Sequence, residues 1–380
     1  MKKLYLVLLL IFFLPNSVYA LDELTIQPII SRPGWDEYSS IAGNETHLIV
    51  TWDSDFSGNR DIWYSIHDGS MWGPPQQLTT DPNRDRYPYV TILKDGRILV
   101  LWTSNRSGQS ELWYKVCRDG VWSPDRQLTT HPEDYDVYSP VIQLADGSIA
   151  VAWTSNTTSQ WDVYFATFSL DTDGILNWKH FTRLTNANST MWLYARSIIQ
   201  TFDGKIWVLI YDLYYYDWED HLGNITTIYY YVSEDGGYTW SGKIMSQGSG
   251  IANPAAVQLP NGTILVIFQG DDLERGILDT LWYMTYHMGV WSEPVILTPS
   301  KHLWGPSIIY RLGKLHITAI GWSGDINTDD IFLITISVPP PVSVGGTAFV
   351  ISNQKFPTFL SSSVVIVVVV AIITILIKRR

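Results

Sequence analysis

Short apolar runs recur along the chain at intervals of about fifty residues, separated by polar, turn-forming residues. Six such runs lie at 48–52, 98–102, 149–153, 206–210, 264–268 and 315–319. Four of them follow Asp-Gly or Asn-Gly dipeptides, which tolerate the positive φ angles of type I′ hairpin turns. The nearly continuous apolarity of the runs predicts β-strands that are covered on both faces.

A tight turn followed by tryptophan marks the same repeat a second time. This signal occurs five times, at Trp72, Trp122, Trp178, Trp240 and Trp291. Successive tryptophans are separated by 50, 56, 62 and 51 residues. The pattern between successive tryptophans accommodates four short strands. A repeat of this length with four strands is typical of blades arranged around an axis, so the sequence predicts an all-β protein with a β-propeller fold.

The sixth repeat lacks its tryptophan-led last strand, because the chain reaches Pro339 first. A matching strand is available near the amino terminus, where residues 24–30 precede the first repeat. We therefore predict a six-bladed β-propeller closed by this N-terminal strand, since a closed ring leaves no sheet edge exposed. Pro28 is compatible with such a strand at the outer edge of a blade.

Both ends of the chain indicate export and anchoring. Two lysines, the apolar run 4–14 and a small-residue cleavage site predict a signal peptide over 1–20. Residues 359–377 are long and apolar enough to form one transmembrane helix, and the basic tail 378–380 favours the cytoplasmic side. A buried core helix is the alternative for 359–377. The prediction is a single-pass cell-membrane protein with an extracellular propeller over 21–337 and a Pro/Gly/Ser stalk over 338–358.

The amino-acid composition limits the classes of molecule that this protein can bind. The net charge of −12, with 25 lysines and arginines, argues against nucleic acid, which needs a basic surface. A single cysteine, Cys117, allows no internal disulfide, and we expect it to be a buried small hydrophobe. The oligomeric state stays open.

Six sequons make N-glycosylation of an exported chain an expectation. They lie at Asn44, Asn105, Asn156, Asn188, Asn224 and Asn261. Asn105 and Asn156 occupy one repeat position, so turn chemistry copied by duplication is the alternative interpretation for this pair.

One turn is a complete match to a known structural motif. Ser233, Asp235, Gly237, Thr239 and Trp240 form a segment that resembles the Asp-box of the sialidase and neuraminidase superfamily. The segment 102–114, echoed at 52–64, resembles the repeats of TolB-type propellers. The first resemblance implies that the Asp-box is a structural turn between the third and fourth strands of a blade, far from a catalytic centre.

The resemblance to sialidases also implies three arginines that hold the substrate carboxylate near the starts of first strands. The axial positions of the six first strands are predicted to be Ser39, Pro88, Ser139, Arg196, Pro254 and Gly305. Arg196 is the best match to the triad, and Arg32 and Arg311 are weaker candidates. Arg84 and Arg86 lie in a loop that is expected to open on the same face, but neither occupies the repeat position. The sequence therefore does not support a full triad, and no catalytic residue is assigned.

Aromatic and acidic residues instead predict a binding funnel over blades four and five. The candidate ligand-binding residues are Arg196, Tyr214, Tyr216, Asp217, Trp218, Glu219, Asp271, Arg275 and Trp304. Rings beside carboxylates suit sugar recognition, whereas the alternative is that the rings only cover a blade edge. We predict a surface propeller that binds glycan or protein ligands without chemistry. A sialidase-like or other glycoside hydrolase, and a structural envelope module, are the alternatives.

Calcium is a weak candidate ligand, and we expect no cofactor. Asp53, Asp55, Ser57, Gly58 and Asp61 have the spacing of oxygen ligands, but the terminal bidentate glutamate of a calcium loop is missing. The equivalent loops of the next two repeats carry Thr-Ser-Asn instead. An Asx-type turn is therefore the favoured interpretation.

Overall fold

The apolar runs form the second strands of six antiparallel sheets. The structure is a computed structural model that describes residues 22–338, apart from 31, 131–134, 159, 188–191, 213–224, 273–274, 300 and 323–328. All of these residues belong to the first of two compact units, Met1–Pro340. The predicted signal peptide 1–20, the transmembrane segment 359–377 and nearly all of the stalk lie outside the described residues. Among the described residues there is no helix that could cross a membrane.

The described part of the chain contains 27 strands. The first fourteen are β1 (Asp22–Ile30), β2 (Asp36–Gly43), β3 (Leu48–Ser54), β4 (Asp61–His67), β5 (Gln76–Gln77), β6 (Asp85–Ile92), β7 (Ile98–Ser104), β8 (Glu111–Arg118), β9 (Val121–Trp122), β10 (Arg126–Gln127), β11 (Asp136–Val137), β12 (Val141–Gln143), β13 (Ile149–Ser155) and β14 (Asp162–Leu170). The others are β15 (Leu176–Arg183), β16 (Leu193–Gln200), β17 (Ile206–Asp212), β18 (Ile225–Ser233), β19 (Ser241–Ser249), β20 (Ala252–Gln258), β21 (Ile264–Asp272), β22 (Ile277–His287), β23 (Val290–Trp291), β24 (Val295–Ile296), β25 (Leu303–Arg311), β26 (Lys314–Trp322) and β27 (Asp329–Ser337).

Each sheet is one blade, and each blade except the last is built from consecutive strands. Blades I to V comprise β2–β5, β6–β10, β11–β15, β16–β19 and β20–β24. Blade VI has the strand order β1-β27-β26-β25, so the chain begins and ends its ring in the same sheet. The predicted all-β, six-bladed propeller is confirmed.

The N-terminal strand closes the ring as predicted. β1 pairs antiparallel with β27, with Leu24 opposite Ile336 and Pro28 opposite Phe332. β1 is the outer edge strand, which is where a proline can be accommodated. Most of its side chains are exposed, but Ile30 is buried in the core between blades VI and I.

The hydrophobic core consists of six clusters, each shared by two neighbouring blades. The cluster between blades I and II combines Ile49 of β3 with Val100 of β7, and the other five repeat this arrangement. Trp52 and Trp102 occupy the same position of their second strands and are fully buried. Second strands are therefore packed on both faces, as their apolar runs predict. Cys117 is buried as well.

We call one face of the propeller the upper face. It is the face at which β2, β6 and β16 begin and β3, β7 and β17 end, and the first strands are irregular there. Their register slips there by one residue, for example between Ala195 and Ser197. In blade VI the slip places Pro306, and not Gly305, at the predicted axial position. The prediction of Gly305 was wrong because this glycine takes the positive-φ position of the bulge, with φ 58°.

Candidate functional site

Three tyrosines from neighbouring blades meet on the upper face. Tyr38, Tyr87 and Tyr138 share one bulge position and have φ angles of 50°, 57° and 52°. The ring centroids of Tyr38 and Tyr87 are 4.5 Å apart, and those of Tyr87 and Tyr138 are 4.3 Å apart. A left-handed backbone at a bulky residue costs on the order of 1–3 kcal/mol and is typical of functional sites. The strained bulges bring the three rings together at the propeller axis.

Blade IV adds two more tyrosines and the predicted arginine. The ring of Tyr194 lies 5.3 Å from that of Tyr138 and 5.3 Å from that of Tyr211. The guanidinium of Arg196 lies 4.8 Å from the Tyr138 ring centroid and 5.9 Å from the Tyr38 centroid, within cation–π range. We call these five tyrosines and Arg196 the tyrosine funnel.

The funnel leads into a channel along the axis. The channel has a volume of ≈ 330 Å³ and is lined by the first strands of all six blades. Tyr38, Tyr87 and Arg196 belong to its wall, and deeper positions carry residues such as Ile41 and Ile198. A concave, largely pre-formed cavity is the usual form of a small-ligand site.

Four phenols of the funnel are kept protonated. Burial raises the pKa of Tyr38, and the neighbouring Tyr87 adds to this effect. Burial likewise raises the pKa of Tyr138, Tyr194 and Tyr211. These groups are therefore hydrogen-bond donors and stacking surfaces at neutral pH, since a phenolate would need a lowered pKa.

Arg196 has no carboxylate partner among the described residues. No ion pair or hydrogen bond joins its guanidinium to any side chain in that part of the chain, and the guanidinium lies over the rings of Tyr138 and Tyr38. Close by, the hydroxyl of Tyr89 is buried without a hydrogen-bond partner in the described structure. A half-buried cation and an unsatisfied hydroxyl both favour an incoming ligand with acceptor oxygens.

A second charged cluster lies beside the funnel in blades I and II. Glu37 forms ion pairs with Arg60 at 3.0 Å and with Arg86 at 3.1 Å, and Arg60 also pairs with Asp53 at 2.7 Å. Arg86 lies over the Tyr38 ring at 5.3 Å, so Tyr38 is flanked by Arg86 and Arg196. Three guanidinium groups therefore approach one side of the mouth, but two of them are already neutralised by carboxylates.

Two carboxyl groups near this cluster have raised pKa values. Burial raises the pKa of Asp329 to about 6, and the charge of Glu37 adds to the shift. Burial also raises the pKa of Asp53 to about 6, against the opposing effects of Arg86 and Arg60. Carboxyl groups that keep a proton near neutral pH are candidates for acid catalysis.

The remaining candidate arginines do not join Arg196. Arg32 pairs with Asp36 at 3.4 Å and lies between the rings of Phe56 and Trp63, 4.2 and 4.3 Å away. Arg311 donates to the backbone carbonyls of residues 44 and 45, at the opposite end of the blades. Arg84 is exposed.

Tyr214, Tyr216, Asp217, Trp218 and Glu219 lie outside the described residues.

The described candidates from blades V and VI lie away from the channel wall. Asp271 accepts a hydrogen bond from Ser249 at 3.2 Å, and Arg275 pairs with Asp272 at 2.6 Å. Trp304 packs against the core between blades VI and I. Of the four described candidates, Arg196 alone lines the axial channel.

The Asp-box turn lies at the lower end of blade IV, between β18 and β19. Asp235 accepts hydrogen bonds from the backbone amides of Tyr238 and Thr239 at 3.0 and 2.9 Å, and these bonds help to lower its pKa. Ser233 accepts from the amide of Gly237 at 2.8 Å. Trp240 packs against the core and donates to the Gly237 carbonyl at 2.9 Å. These hydrogen bonds are internal to the turn, whereas the Trp240 ring packs across the blade boundary against Phe165 of blade III, 4.9 Å away.

The suggested calcium ligands bond to protein groups. Asp53 pairs with Arg60, Asp55 accepts from the amide of Trp35 at 2.8 Å, and Asp61 accepts from Ser57 at 2.7 Å. Within the described residues there is no group of three or more His, Cys, Asp or Glu residues that could hold a metal ion.

The side chains of two sequon asparagines bond to the segment that leads into the first strand of their own blade. Asn105 accepts from the amide of Arg84 at 3.0 Å, and Asn156 accepts from the amide of Tyr135 at 2.7 Å. Asn44 and Asn261 accept within their own turns, whereas Asn188 and Asn224 lie outside the described residues. The turn chemistry of the repeat pair is therefore present in the structure.

Sequence reasoning missed the tyrosine funnel, although a signal exists. The motif Asp-x-Tyr-(Ser/Pro) occurs three times, with its tyrosines at Tyr38, Tyr87 and Tyr138. Asp36, the first aspartate of the motif, is fully buried and accepts from the Trp52 indole at 3.1 Å. The aspartate fixes the start of the strand, and the tyrosine two residues later occupies the bulge.

Comparisons with known proteins support the fold. The sequence model of the BNR repeat-like domain matches residues 47–317. No curated protein matches the chain.

Solved structures of similar shape cover nearly the whole propeller. A Dyadobacter fermentans protein of unknown function is 15% identical with a TM-score of 0.63, covering 84% of this chain and 99% of its own. A Penicillium chrysogenum α-L-arabinanase complexed with arabinobiose is 12% identical with a TM-score of 0.58, covering 81% and 98%. An intramolecular trans-sialidase from Ruminococcus gnavus is 11% identical with a TM-score of 0.56, covering 80% and 94%. Identities this low show a common fold only.

Proposed function

Because the chain belongs to the BNR repeat-like domain family and has a sialidase-like propeller fold, we propose that its tyrosine funnel binds a glycan that carries an anionic group. The observation that carries the proposal is the guanidinium of Arg196, which lines a pre-formed cavity without a carboxylate partner in the described structure. A half-buried cation is stabilised when a ligand anion supplies the missing partner.

The tyrosine rings supply the neutral part of recognition. Their faces can stack on the apolar face of a pyranose ring, and their protonated hydroxyls can donate to sugar oxygens. The rings of Tyr38, Tyr87 and Tyr138 touch one another, so little side-chain entropy is left to lose on binding. The site needs no cofactor in this role.

We favour binding without chemistry. Arg60 and Arg86 are held by Glu37 and Asp53, so a ligand carboxylate meets one free guanidinium and not three. The pKa values of the Tyr38 and Tyr138 phenols are raised, so neither is an activated nucleophile at neutral pH. One charge-assisted contact orients a ligand but supplies only part of the electrostatic field that a charged transition state requires.

A glycoside hydrolase is the second candidate, because Asp329 and Glu37 could divide acid and base roles. Asp329 keeps its proton up to about pH 6, whereas Glu37 is paired with two arginines. Two carboxyl groups with different protonation states are what glycoside hydrolysis needs. The arabinanase and the trans-sialidase of similar fold act on glycosides.

The test measures glycan binding and turnover with the same protein. The full-length chain is titrated calorimetrically with acidic and neutral oligosaccharides, and Arg196→Met is compared with Arg84→Met. The Arg196 contact is worth about 1.5–3 kcal/mol, so Arg196→Met should weaken acidic ligands by about 10- to 150-fold. Arg84 is exposed on the same face, and its replacement should change affinity less than twofold, which controls for the loss of one positive charge.

Two results would overturn this assignment. Equal affinity of wild type and Arg196→Met for every acidic glycan that binds would remove Arg196 from the site. Turnover of fluorogenic sialosides or arabinosides by the purified protein, abolished by Asp329→Asn, would establish the hydrolase instead.

The place of action is also part of the proposal. The signal-like residues 1–20 and the apolar segment 359–377 support export and a single membrane anchor, with the funnel facing extracellular glycans. Protease treatment of intact cells should digest a tag inserted in the propeller and spare a tag at the carboxyl terminus.

A further inference from the structure

Three aromatic residues lie at the rim of the upper face, outside the tyrosine funnel. Tyr135 and Trp192 are 43% and 45% exposed, and Trp161 lies between them. The ring of Trp161 is 6.3 Å from that of Trp192 and 6.4 Å from that of Tyr135. Large rings exposed to this degree are not explained by packing of the core.

The rim is connected to the funnel by an unbroken series of rings. Trp161 lies 6.3 Å from Tyr194, which lies 5.3 Å from Tyr138. Tyr138 in turn lies 4.3 Å from Tyr87, at the channel mouth. We call the rim residues Tyr135, Trp161 and Trp192, together with Tyr194, Tyr138 and Tyr87, the aromatic track. The track runs from blades III and IV to Tyr87 of blade II, and its Tyr138 ring contacts Arg196.

The backbone holds the outer part of the track in place. Trp161 and Trp192 pair as a bridge between blades III and IV, and the amide of Leu193 donates to the Trp161 carbonyl at 3.2 Å. The amide of Tyr135 is fixed by the side chain of Asn156 at 2.7 Å. The rings are therefore pre-organised, which lowers the entropy cost of binding.

We propose that the aromatic track binds a linear acidic oligosaccharide, with one sugar at Arg196 and later sugars stacked outward to Trp192. This inference rests on the proposed function and specifies its ligand as a chain. A single sugar would occupy the funnel and leave the rim exposed. Successive rings along a groove are the arrangement that binds successive units of a polymer, because each ring stacks on one unit.

The composition of the upper face favours a sugar over a protein partner. The large apolar side chains that are most exposed there are aromatic, and include Trp35, Phe56 and Trp322 in addition to the rim. Exposed aliphatic side chains lie mainly at the lower turns, for example Met71, Val121, Met288, Val290 and Leu312. Leu278, at the start of β22, is an exposed aliphatic side chain at the same end of the blades. A surface whose exposed apolar groups are mainly aromatic offers flat faces on which pyranose rings can stack.

The experiment measures affinity against chain length. The full-length chain is titrated with two acidic series of one to six units, α2,8-linked oligosialic acids and oligogalacturonates. We expect affinity in at least one series to rise at least tenfold from one unit to four. Trp192→Ala and Trp161→Ala should each bring this ratio close to one. Trp178→Ala is the matched control, because Trp178 is 50% exposed on the outer strand of blade III and does not belong to the track.

The outcomes separate this inference from the proposed function. Equal affinity for one and four units, with a strong effect of Arg196→Met, would overturn the track and leave the funnel intact. A length gain that persists in both tryptophan variants would also overturn the track. Absence of binding in both series would overturn the track together with the anionic-glycan proposal. Displacement of the bound oligosaccharide by a glycan-free peptide mixture would assign the rings to a protein ligand and likewise overturn the inference.

Discussion

Gly237 in the Asp-box turn should be far less tolerant of a side chain than its neighbour Gly236. Both glycines have positive φ angles, 79° for Gly236 and 101° for Gly237. A Cβ atom on Gly236 would meet no atom within 4 Å, whereas one on Gly237 would lie 2.2 Å from Cε1 of Phe165. Phe165 is fully buried, and its ring already contacts Trp240 at 4.9 Å, so it cannot move away freely.

The two variants therefore separate backbone strain from steric overlap. Gly236→Ala should cost about 1–2 kcal/mol, the energy of a left-handed backbone at an alanine. Gly237→Ala adds overpacking of about 1–3 kcal/mol, for a total of about 2–5 kcal/mol. The free energy of unfolding is measured by urea titration of the full-length chain with tryptophan fluorescence as the signal. Glycan affinity should stay unchanged in both variants, because the turn lies at the lower face.

The ring of Phe165 provides a second check. In the Gly237→Ala background, Phe165→Leu should recover part of the lost stability, with a coupling energy within the range of about 0.5–3 kcal/mol for residues in contact. Equal destabilisation by Gly236→Ala and Gly237→Ala would refute the steric argument, and so would additivity of Gly237→Ala and Phe165→Leu.

Two further predictions concern ring closure and pH. Ile30→Ala should lower the free energy of unfolding by about 2–4 kcal/mol, because Ile30 is only 5% exposed. Leu24→Ala on the same strand should cost less than about 0.5 kcal/mol, because Leu24 is 39% exposed. Similar melting temperatures for the two variants would contradict closure by burial at this end of β1. The pKa of Asp329 is raised from 3.8 to about 6, so the folded state binds the proton more tightly, and stability should fall by on the order of 2–3 kcal/mol as pH rises from 4 to 6. Asp329→Asn should flatten this decline in a pH series of urea titrations, and an unaltered slope would show that another group is responsible.

The repeat could be predicted because short sequence patterns mark its strands and turns. Apolar runs and hairpin dipeptides mark the second strands, and the absence of a sixth tryptophan strand identifies residues 24–30 as the closing strand. The one-residue error at Gly305 arose because a β-bulge leaves no trace in an apolar pattern. Register within a regular hairpin can be derived from sequence, whereas the position of a bulge cannot.

The candidate site was only partly predictable. Arg196 was found because it breaks the series of small residues at the axial positions. The motif Asp-x-Tyr-(Ser/Pro) marks Tyr38, Tyr87 and Tyr138, but their contact with one another depends on packing between blades, which the spacing of the motif along the chain does not show. Arg86 was considered to lie outside the repeat position, yet its long side chain reaches Tyr38. Contacts between blades, not spacing along the chain, determine which side chains meet.

Closure by the N-terminal strand also affects how the propeller bears mechanical load. β27, the last strand of the ring, lies between β1 and β26 and is bonded to both along its length. Tension applied at Ser337 along the strand would act on two ladders in shear, so many hydrogen bonds must break together. A last strand at the edge of a sheet would instead peel away one bond at a time. The exit point of the chain is thus a reinforced attachment for whatever follows it.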